Sequence, residues 1–211
     1  MASAIMHICV AKKVNEYLNM DEKMLYLGTI APDISKQIGE SKNKSHFLKD
    51  EDIPDVNMFY NKYKDYLNNP FEMGYYIHLL TDYYWFKEFI PKRIKNIKLK
   101  MNNQELKLKP GDIGKIIYSD YTNLNINLID HYDLTLKLFY EELEYPRARI
   151  NEIPINKLKV IVDQMGLIVK NSTGNKTIMM EPDDIYAFLD ETSEIIIETI
   201  KEERSVIKWK T

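Results

Sequence analysis

The sequence predicts a mainly α-helical protein, and three observations support that class. Apolar side chains recur at intervals of three and four residues through most of the chain, which is the spacing of one helix face. With only 7 glycines and 8 prolines in 211 residues, a turn-rich β fold is disfavoured. Hydrophobic residues make up 45% and aromatic residues 11%, which is enough for a sizeable core and too much for a disordered chain.

The first half of the chain is divided into helices by capping residues and turn signals. Ser3 and Asp21 are typical N-cap residues, and each precedes apolar side chains with helical spacing. Residues 31–54 are predicted to form a loop, because Pro32 and many Ser, Lys and Asp residues interrupt the pattern. We therefore expect helices over 3–18, 21–30, 55–67 and 70–91.

The second half begins with a change of period. Over 97–108 apolar residues alternate on either side of Asn102 and Asn103, which predicts a small β-hairpin inserted into the helical protein. The segment 155–169 fits either a helix or a strand, because its apolar run is short and rich in β-branched residues. Helical spacing is found again over 113–129, 131–144 and about 183–204.

Composition and charge exclude several classes of protein. Lys and Arg number 29 against 32 Asp and Glu, a net charge of −3, so no dedicated nucleic-acid surface is evident. The single cysteine, Cys9, excludes an intramolecular disulfide and a cysteine-based zinc site. The sequence contains no glycine-rich phosphate-binding loop.

The first residues do not resemble a secretory signal. No basic segment precedes them, and His7 interrupts their apolar run. No stretch approaches the roughly 18 consecutive apolar residues of a spanning helix. We therefore expect a cytoplasmic protein without a transmembrane segment.

The predicted helix over 70–91 carries a histidine and a carboxylate on its core-facing stripe. His78 and Asp82 lie four residues apart, between aromatic residues of the same stripe. An ionised carboxylate on such a face is costly unless it is paired or binds a metal ion. The pair therefore predicts a metal site, and the alternative is a hydrogen-bonded core histidine beside a paired carboxylate.

Three further residues strengthen the prediction of a metal site. His7 occupies an inward position of the first helix, Asp33 follows Pro32 directly after the second helix, and His46 lies in the long loop. The structural alternatives are a core histidine, a turn carboxylate and a solvated loop residue, respectively. Three imidazoles with carboxylates suit Zn²⁺, and Fe, Mn and Ni accept the same ligands.

Asp120 is a candidate ligand for a second metal ion. In a continuous helix over 113–131 it would share a face with Ile117 and Leu124, so its carboxylate would point into the core. The alternative is a buried aspartate bonded to a Tyr or Lys side chain. His131, the remaining histidine, is expected to be solvated.

The order of these residues resembles the zinc-dependent phospholipase C family, a mainly helical group related to single-strand-specific nucleases. The similarity covers roughly residues 1–90. It depends on His7 and on three motifs, LGTIAPD over 27–33, KSHF over 44–47 and GYYIHLLTDYYW over 74–85. The resemblance implies a helical bundle and a zinc site that activates water against a phosphodiester.

The resemblance also implies a role for each residue. His46, His78 and Asp82 would hold one metal ion, and His7 would reach a second ion that Asp82 bridges. Asp33 would be a ligand, or the catalytic group that orients or deprotonates the attacking water. The family's second ligand segment, rich in His and Glu, has no match after Asp82, so one or two zinc ions are expected rather than three.

Together these observations predict a metal-binding helical domain over 1–145. Residues 146–211 would be a helical extension of that domain or a small appendage. The favoured function is that of an enzyme, a metal-dependent hydrolase of a small phosphate ester and most simply of a phosphodiester. The alternative is a non-catalytic helical protein that retains a structural or vestigial metal site and acts through a protein partner.

Overall fold

The computed structural model describes residues 2–48, 52–93 and 112–208. Within these ranges the chain is mainly helical and contains no β-strand, which confirms the predicted class. The predicted β-hairpin over 97–108 lies outside the described residues. In chain order the α-helices are α1 (Ala4–Leu18), α2 (Glu22–Ile30), α3 (Ile34–Gln37), α4 (Lys42–Ser45), α5 (Val56–Tyr63), α6 (Pro70–Tyr84), α7 (Asp112–His131), α8 (Lys137–Tyr140), α9 (Leu158–Lys170) and α10 (Pro182–Lys208).

The first two helices begin where the capping residues predict. The Ser3 hydroxyl accepts a hydrogen bond from the backbone N–H of Met6 at 3.2 Å. The Asp21 carboxylate accepts one from Met24 at 2.8 Å. Each side chain satisfies a backbone donor that has no partner within the helix, which holds the helix start in place.

The loop predicted over 31–54 is wrong for its first half. Ala31–Asp33 form a 3₁₀ turn that continues α2, and α3 and α4 follow. Pro32 is compatible with this turn, because the first turn of a helix does not use its N–H groups. The Ser41 hydroxyl then accepts a hydrogen bond from Asn43 and caps α4. α3 contains one buried apolar residue, Ile34, and α4 contains only polar residues, so neither has an apolar periodicity to reveal it.

The helix predicted over 131–144 is also wrong. α7 ends at His131, and Asp133 adopts a left-handed backbone with φ of 45°, which a helix cannot accommodate. Leu134 and Leu138 are buried, so their helical spacing reflects contact with the core and not a continuous helix. In that region only α8 is helical.

Two other segments resolve as helices. The ambiguous residues 155–169 form a 3₁₀ turn followed by α9, whose buried side chains recur at helical spacing. The buried residues of α9 are Leu158, Ile161, Val162 and Met165.

The predicted helix over 70–91 is α6, which passes into a π-helical turn at Trp85–Phe89.

α1 is the central helix of the structure. It contacts α2, α6, α7 and α10. Every residue from Ile5 to Ala11 is buried, so this part of the helix has no solvent-facing side. A polar side chain within this run, such as His7, must therefore find its partner inside the protein.

The two longest helices cover this interior. α7 has 20 residues and α10 has 27, and both contact α1. α10 is amphipathic, with Ile185, Leu189 and Ile196 among its buried residues. Among the described residues no helix is both long and apolar enough to cross a membrane.

The backbones of α2 and α6 are in close contact where the two helices cross. A Cβ atom at Gly28 would overlap the backbone carbonyl of Phe71, and one at Gly74 would overlap the carbonyl of Leu25. The obstructing atoms belong to backbone, so no side chain can rotate away to make room. These two glycines are therefore required for the two backbones to approach each other.

We predict that Gly74→Ala lowers the free energy of unfolding by roughly 3 kcal/mol, because overpacking against backbone forces the helices apart. Gly114→Ala is the matched control, since that glycine lies in α7 with no atom within 4 Å of the added Cβ. The control should raise stability by up to about 1 kcal/mol through helix propensity. Equal stabilities of the two variants in urea titrations would contradict the close crossing.

Candidate metal centre

Five of the polar side chains singled out in the sequence lie together in the interior. They come from α1, the turn after α2, the end of α4, and α6. Four of the five are at most 1% exposed and the fifth, Asp33, is 8% exposed. Their ligand atoms form two groups, each within 4.8 Å, which are His7 with His78 and Asp82, and Asp33 with His46 and His78.

The rings of His46 and His78 face each other through their Nε2 atoms, which are 3.2 Å apart. His78 Nδ1 lies 2.8 Å from the carbonyl oxygen of Thr29, so Nδ1 carries the proton and Nε2 keeps its lone pair. His46 Nδ1 lies 3.0 Å from the Ser45 hydroxyl, which itself donates to the carbonyl of Lys42. Nε2 of His46 therefore also keeps its lone pair. Two acceptor nitrogens at this distance repel each other unless a cation is shared between them.

Asp82 lies close to all three of these histidines. Its Oδ1 accepts a hydrogen bond from the backbone N–H of Ala2 at 2.8 Å and is 3.4 Å from Nε2 of His7. Its Oδ2 lies 3.6 Å from Nε2 of His78 and 3.8 Å from Nε2 of His46. The two oxygens thus face two different sides of the cluster, which is the geometry of a bridging carboxylate.

His7 completes one side of the cluster. Its ring stacks on that of His78, with centroids 3.8 Å apart and planes 14° apart. Neither ring nitrogen of His7 has a hydrogen-bond partner among the described residues, although the ring is fully buried. A buried polar atom without a partner lowers the stability of the fold by about 1–3 kcal/mol. A metal ion bound to His7 would remove this cost.

Asp33 lies between the cluster and a pocket of about 270 Å³. Its Oδ1 is 3.5 Å from Nε2 of His46 and has no hydrogen-bond partner among the described residues. Of the five clustered residues, Asp33 is the one that also lines the pocket. A molecule that enters the pocket would therefore contact Asp33 before the other four residues of the cluster.

The pKa shifts of His78, Asp82 and Asp33 favour the protonation states of metal ligands. Burial, followed by the nearby His7, lowers the pKa of His78 to about 3 and keeps its ring neutral. Burial alone would raise the pKa of Asp82, but interactions with its neighbours, His7 among them, together hold it well below its usual value. Burial opposes ionisation of Asp33 as well, but the neighbouring His46, His78 and His7 together outweigh it and lower the pKa of Asp33. Neutral imidazoles and ionised carboxylates are the forms that bind divalent metals.

The donor set fits a divalent metal ion. Imidazole nitrogens and carboxylate oxygens are the ligands that Zn²⁺ takes in proteins, and Fe, Mn and Ni use the same atoms. Unpartnered nitrogen and oxygen atoms of His7, Asp33 and Asp82 converge here in a nearly dry interior. A cation would satisfy these atoms and relieve the repulsion between the two facing imidazoles.

Asp120 does not belong to this cluster, and we correct its assignment as a metal ligand. Its Oδ1 accepts a hydrogen bond from the backbone N–H of Ile178 at 2.8 Å. Its Oδ2 accepts two more, from Met179 at 2.7 Å and from Met180 at 2.9 Å. Asp120 is therefore a structural carboxylate that fixes the chain before α10, and its partners are backbone groups rather than the Tyr or Lys side chain of the expected alternative. His131 is exposed, as expected, and stacks on Tyr186.

Sequence reasoning missed the groups that orient the clustered side chains. The Thr29 carbonyl and the Ala2 N–H are backbone atoms, which no residue pattern reveals. Ser45 was visible beside His46 in the sequence, but its hydrogen bond to the ring depends on the end of α4. The Thr29 carbonyl and the Ser45 hydroxyl set which nitrogen of His78 and of His46 points into the cluster, and the Ala2 N–H orients Asp82.

We predict that Asp120→Ala lowers the free energy of unfolding by about 3 kcal/mol, since it leaves backbone donors near α10 unsatisfied. Metal content should be unchanged, because Asp120 lies outside the cluster. Asp130→Ala, an exposed position on the same helix, is the control and should change neither quantity. A folded Asp120→Ala protein that lost its metal would restore Asp120 to the site.

Comparisons with models of protein families, with curated proteins and with solved structures found no match. These comparisons do not test the resemblance of the motifs to the zinc-dependent phospholipase C family. The assignment to that family therefore stays a prediction, and the function is argued from the geometry of the cluster.

Proposed function

We propose that this protein is a metal-dependent hydrolase of a phosphate ester, most simply a phosphodiester, with zinc as the preferred ion. The observation that carries the proposal is the pair of acceptor nitrogens on His46 and His78, which meet beside the unpartnered oxygens of Asp33 and Asp82. A bound cation would offset the repulsion among neutral acceptors and ionised carboxylates gathered in a buried site. The phosphate ester comes from the motif resemblance, which supplies the substrate class.

Each ligand has a place in this proposal. His46, His78 and Oδ2 of Asp82 would hold one ion, and His7 with Oδ1 of Asp82 would hold a second. His78 would bind one ion through Nε2, because its Nδ1 already donates a hydrogen bond to the Thr29 carbonyl. A bound divalent cation of this kind lowers the pKa of water to about 7 and offsets charge that develops on phosphoryl oxygens.

Asp33 is the residue that we propose for catalysis. It borders both the cluster and the pocket, so its carboxylate is within reach of a water molecule and of a substrate. The neighbouring histidines together lower the pKa of Asp33 and keep it ionised, which suits a group that orients water and accepts a proton as the ester is attacked. Apolar neighbours in the pocket, such as Ile5 and Met165, would limit the entry of other water molecules.

Lys36 supports an anionic substrate. Its ammonium group lines the same pocket as Asp33 and is held at 3.1 Å from the Tyr118 hydroxyl, over the ring of that tyrosine. The side chain is exposed at the mouth of the pocket. A phosphate group approaching Asp33 would therefore pass a positive charge.

A structural metal site in a non-catalytic protein is the second candidate. The near-complete burial of His7, His46, His78 and Asp82 favours it, because structural zinc sites are closed while catalytic sites keep an open position. The pocket beside Asp33 favours the enzyme, because it gives the cluster one open side. Metal analysis of the purified protein followed by an assay with bis(4-nitrophenyl) phosphate separates the two. Metal with turnover supports the enzyme, metal without turnover supports the structural site, and absence of metal contradicts both.

We predict that His78→Ala and Asp82→Asn each lose bound metal, since each removes a central ligand. Zinc at 100 times its Kd should stabilise the wild-type protein by about 2.7 kcal/mol, which raises the melting temperature by roughly 5–10 °C. Both variants should lose this shift. His131→Ala, at the exposed end of α7, is the control and should keep it. Full metal content in the first two variants would refute the ligand assignment.

We predict that Asp33→Asn keeps most of its metal and loses about 100-fold or more in kcat, because the amide cannot accept a proton from water. Mass spectrometry of the metal content and steady-state kinetics on the chromogenic diester measure the two effects separately. Loss of metal with the activity would make Asp33 a ligand instead. Unchanged kcat would remove it from the mechanism.

A further inference from the structure

We propose that the pocket beside Asp33 binds one ester arm of the substrate through Asn125, and that it selects an arm carrying an N–H or O–H donor. The proposal depends on the proposed function for the position of the phosphate, and on the pocket itself for everything else. The pocket lies between the start of α1, the 3₁₀ turn with α3, and the facing sides of α7 and α9. Asn125 lines it from α7.

Asn125 is a buried amide with one unused group. It is 1% exposed, and its Oδ1 has no hydrogen-bond partner among the described residues. Its Nδ2 donates to the Ser172 hydroxyl at 3.0 Å, and that hydroxyl donates in turn to the carbonyl of Ile168 at 2.9 Å. Because the Ser172 hydrogen is already committed, the chain of bonds requires the amide nitrogen on that side. Oδ1 is therefore an acceptor without a partner among the described residues, and it is the atom of Asn125 that the proposal assigns to the ligand.

The remaining wall of the pocket is mostly apolar. Ala4, Ile5, Met165 and Ile168 supply aliphatic surface, and Tyr118 supplies an aromatic ring at the mouth. A volume of about 270 Å³ suits an arm of one ring with a few substituent atoms. In such a pocket an acceptor left unpaired by the ligand is penalised, so a hydroxyl or amino group on the arm gains affinity over a methyl group of the same size.

The charges order the substrate along the pocket. Asp33 and the cluster lie at the inner end, and Lys36 lies at the mouth. A phosphate placed at Asp33 needs the bound cation to offset the carboxylate. The arm then extends past Asn125 along the apolar surface. The substrate class is thus a phosphate ester of a compact, ring-sized alcohol that bears a hydrogen-bond donor.

The test uses the full-length protein with its bound metal and three matched pairs of probes. Each pair is a hydroxybenzyl phosphate and its methylbenzyl analogue, with the substituent at the ortho, meta or para position, and binding is measured by titration calorimetry. We expect at least one hydroxyl probe to bind about tenfold more tightly than its methyl partner, which is about 1.4 kcal/mol. Equal affinities in all three pairs would overturn the proposal without any variant.

Variants then assign the preference to Asn125. Asn125→Leu has a similar shape but no acceptor and should bind both members of the pair equally. Asn127→Leu, on the exposed side of the same helix, is the control and should keep the preference. If Asn125→Leu does not fold, Asn125→Asp retains an acceptor and should also keep the preference. Persistence of the preference in folded Asn125→Leu would overturn the assignment.

Hydrolysis of methyl 4-nitrophenyl phosphate tests the proposed function separately, because neither its methyl arm nor its nitrophenyl arm carries an N–H or O–H donor for Asn125. Turnover of this ester without a hydroxyl preference in the binding assay supports the enzyme and removes the role of Asn125. A hydroxyl preference without turnover keeps the role of Asn125 and removes the hydrolase. The two failures are therefore distinguishable.

Discussion

The close crossing of α2 and α6 is the constraint on which the cluster depends. Gly28 and Gly74 allow the two helix backbones to meet without side chains between them. This approach brings the Thr29 carbonyl of α2 to Nδ1 of His78 on α6, and that contact sets the direction of the opposite ring nitrogen. The 3₁₀ turn at the end of α2 then delivers Asp33 to the same place. Widening the crossing by the size of one methyl group would disturb the orientation of the ring and the position of the carboxylate together.

The cluster is a concentration of acceptors held in place by packing. The facing nitrogens of His46 and His78 and the free oxygens of Asp33 and Asp82 are individually costly in a dry interior. The surrounding helices nevertheless hold them within a few ångströms of one another. Folding and ion binding are therefore coupled in this proposal, because the cation would remove a repulsion that the apolar core enforces. Of the five clustered residues, Asp33 is the one that also lines this pocket, and in our proposal the unpartnered Oδ1 of Asn125 makes the pocket prefer a ligand with a hydrogen-bond donor.

The predictable part of the fold came from apolar spacing and caps. α1 and α2 begin at the predicted caps, and the stripe on α6 correctly placed His78 and Asp82 in the interior. The errors share a cause, because spacing reports only that a side chain faces the core. Leu134 and Leu138 face the core from a segment that is not one continuous helix, and their spacing therefore led to a wrong prediction of a helix. Polar short helices such as α4 have no apolar spacing at all.

What the sequence determined by itself was the helical class and the inward direction of His7, His78, Asp82 and Asp120, since these follow from local periodicity. Only the tertiary structure decided which inward side chains meet. Asp120 is as deeply buried as Asp82, yet it is satisfied by the backbone before α10, whereas Asp82 lies among three imidazoles. The difference depends on which helices cross and on which backbone N–H groups lie beside each carboxylate. Those are contacts between residues distant in the chain, and no single-residue pattern encodes them.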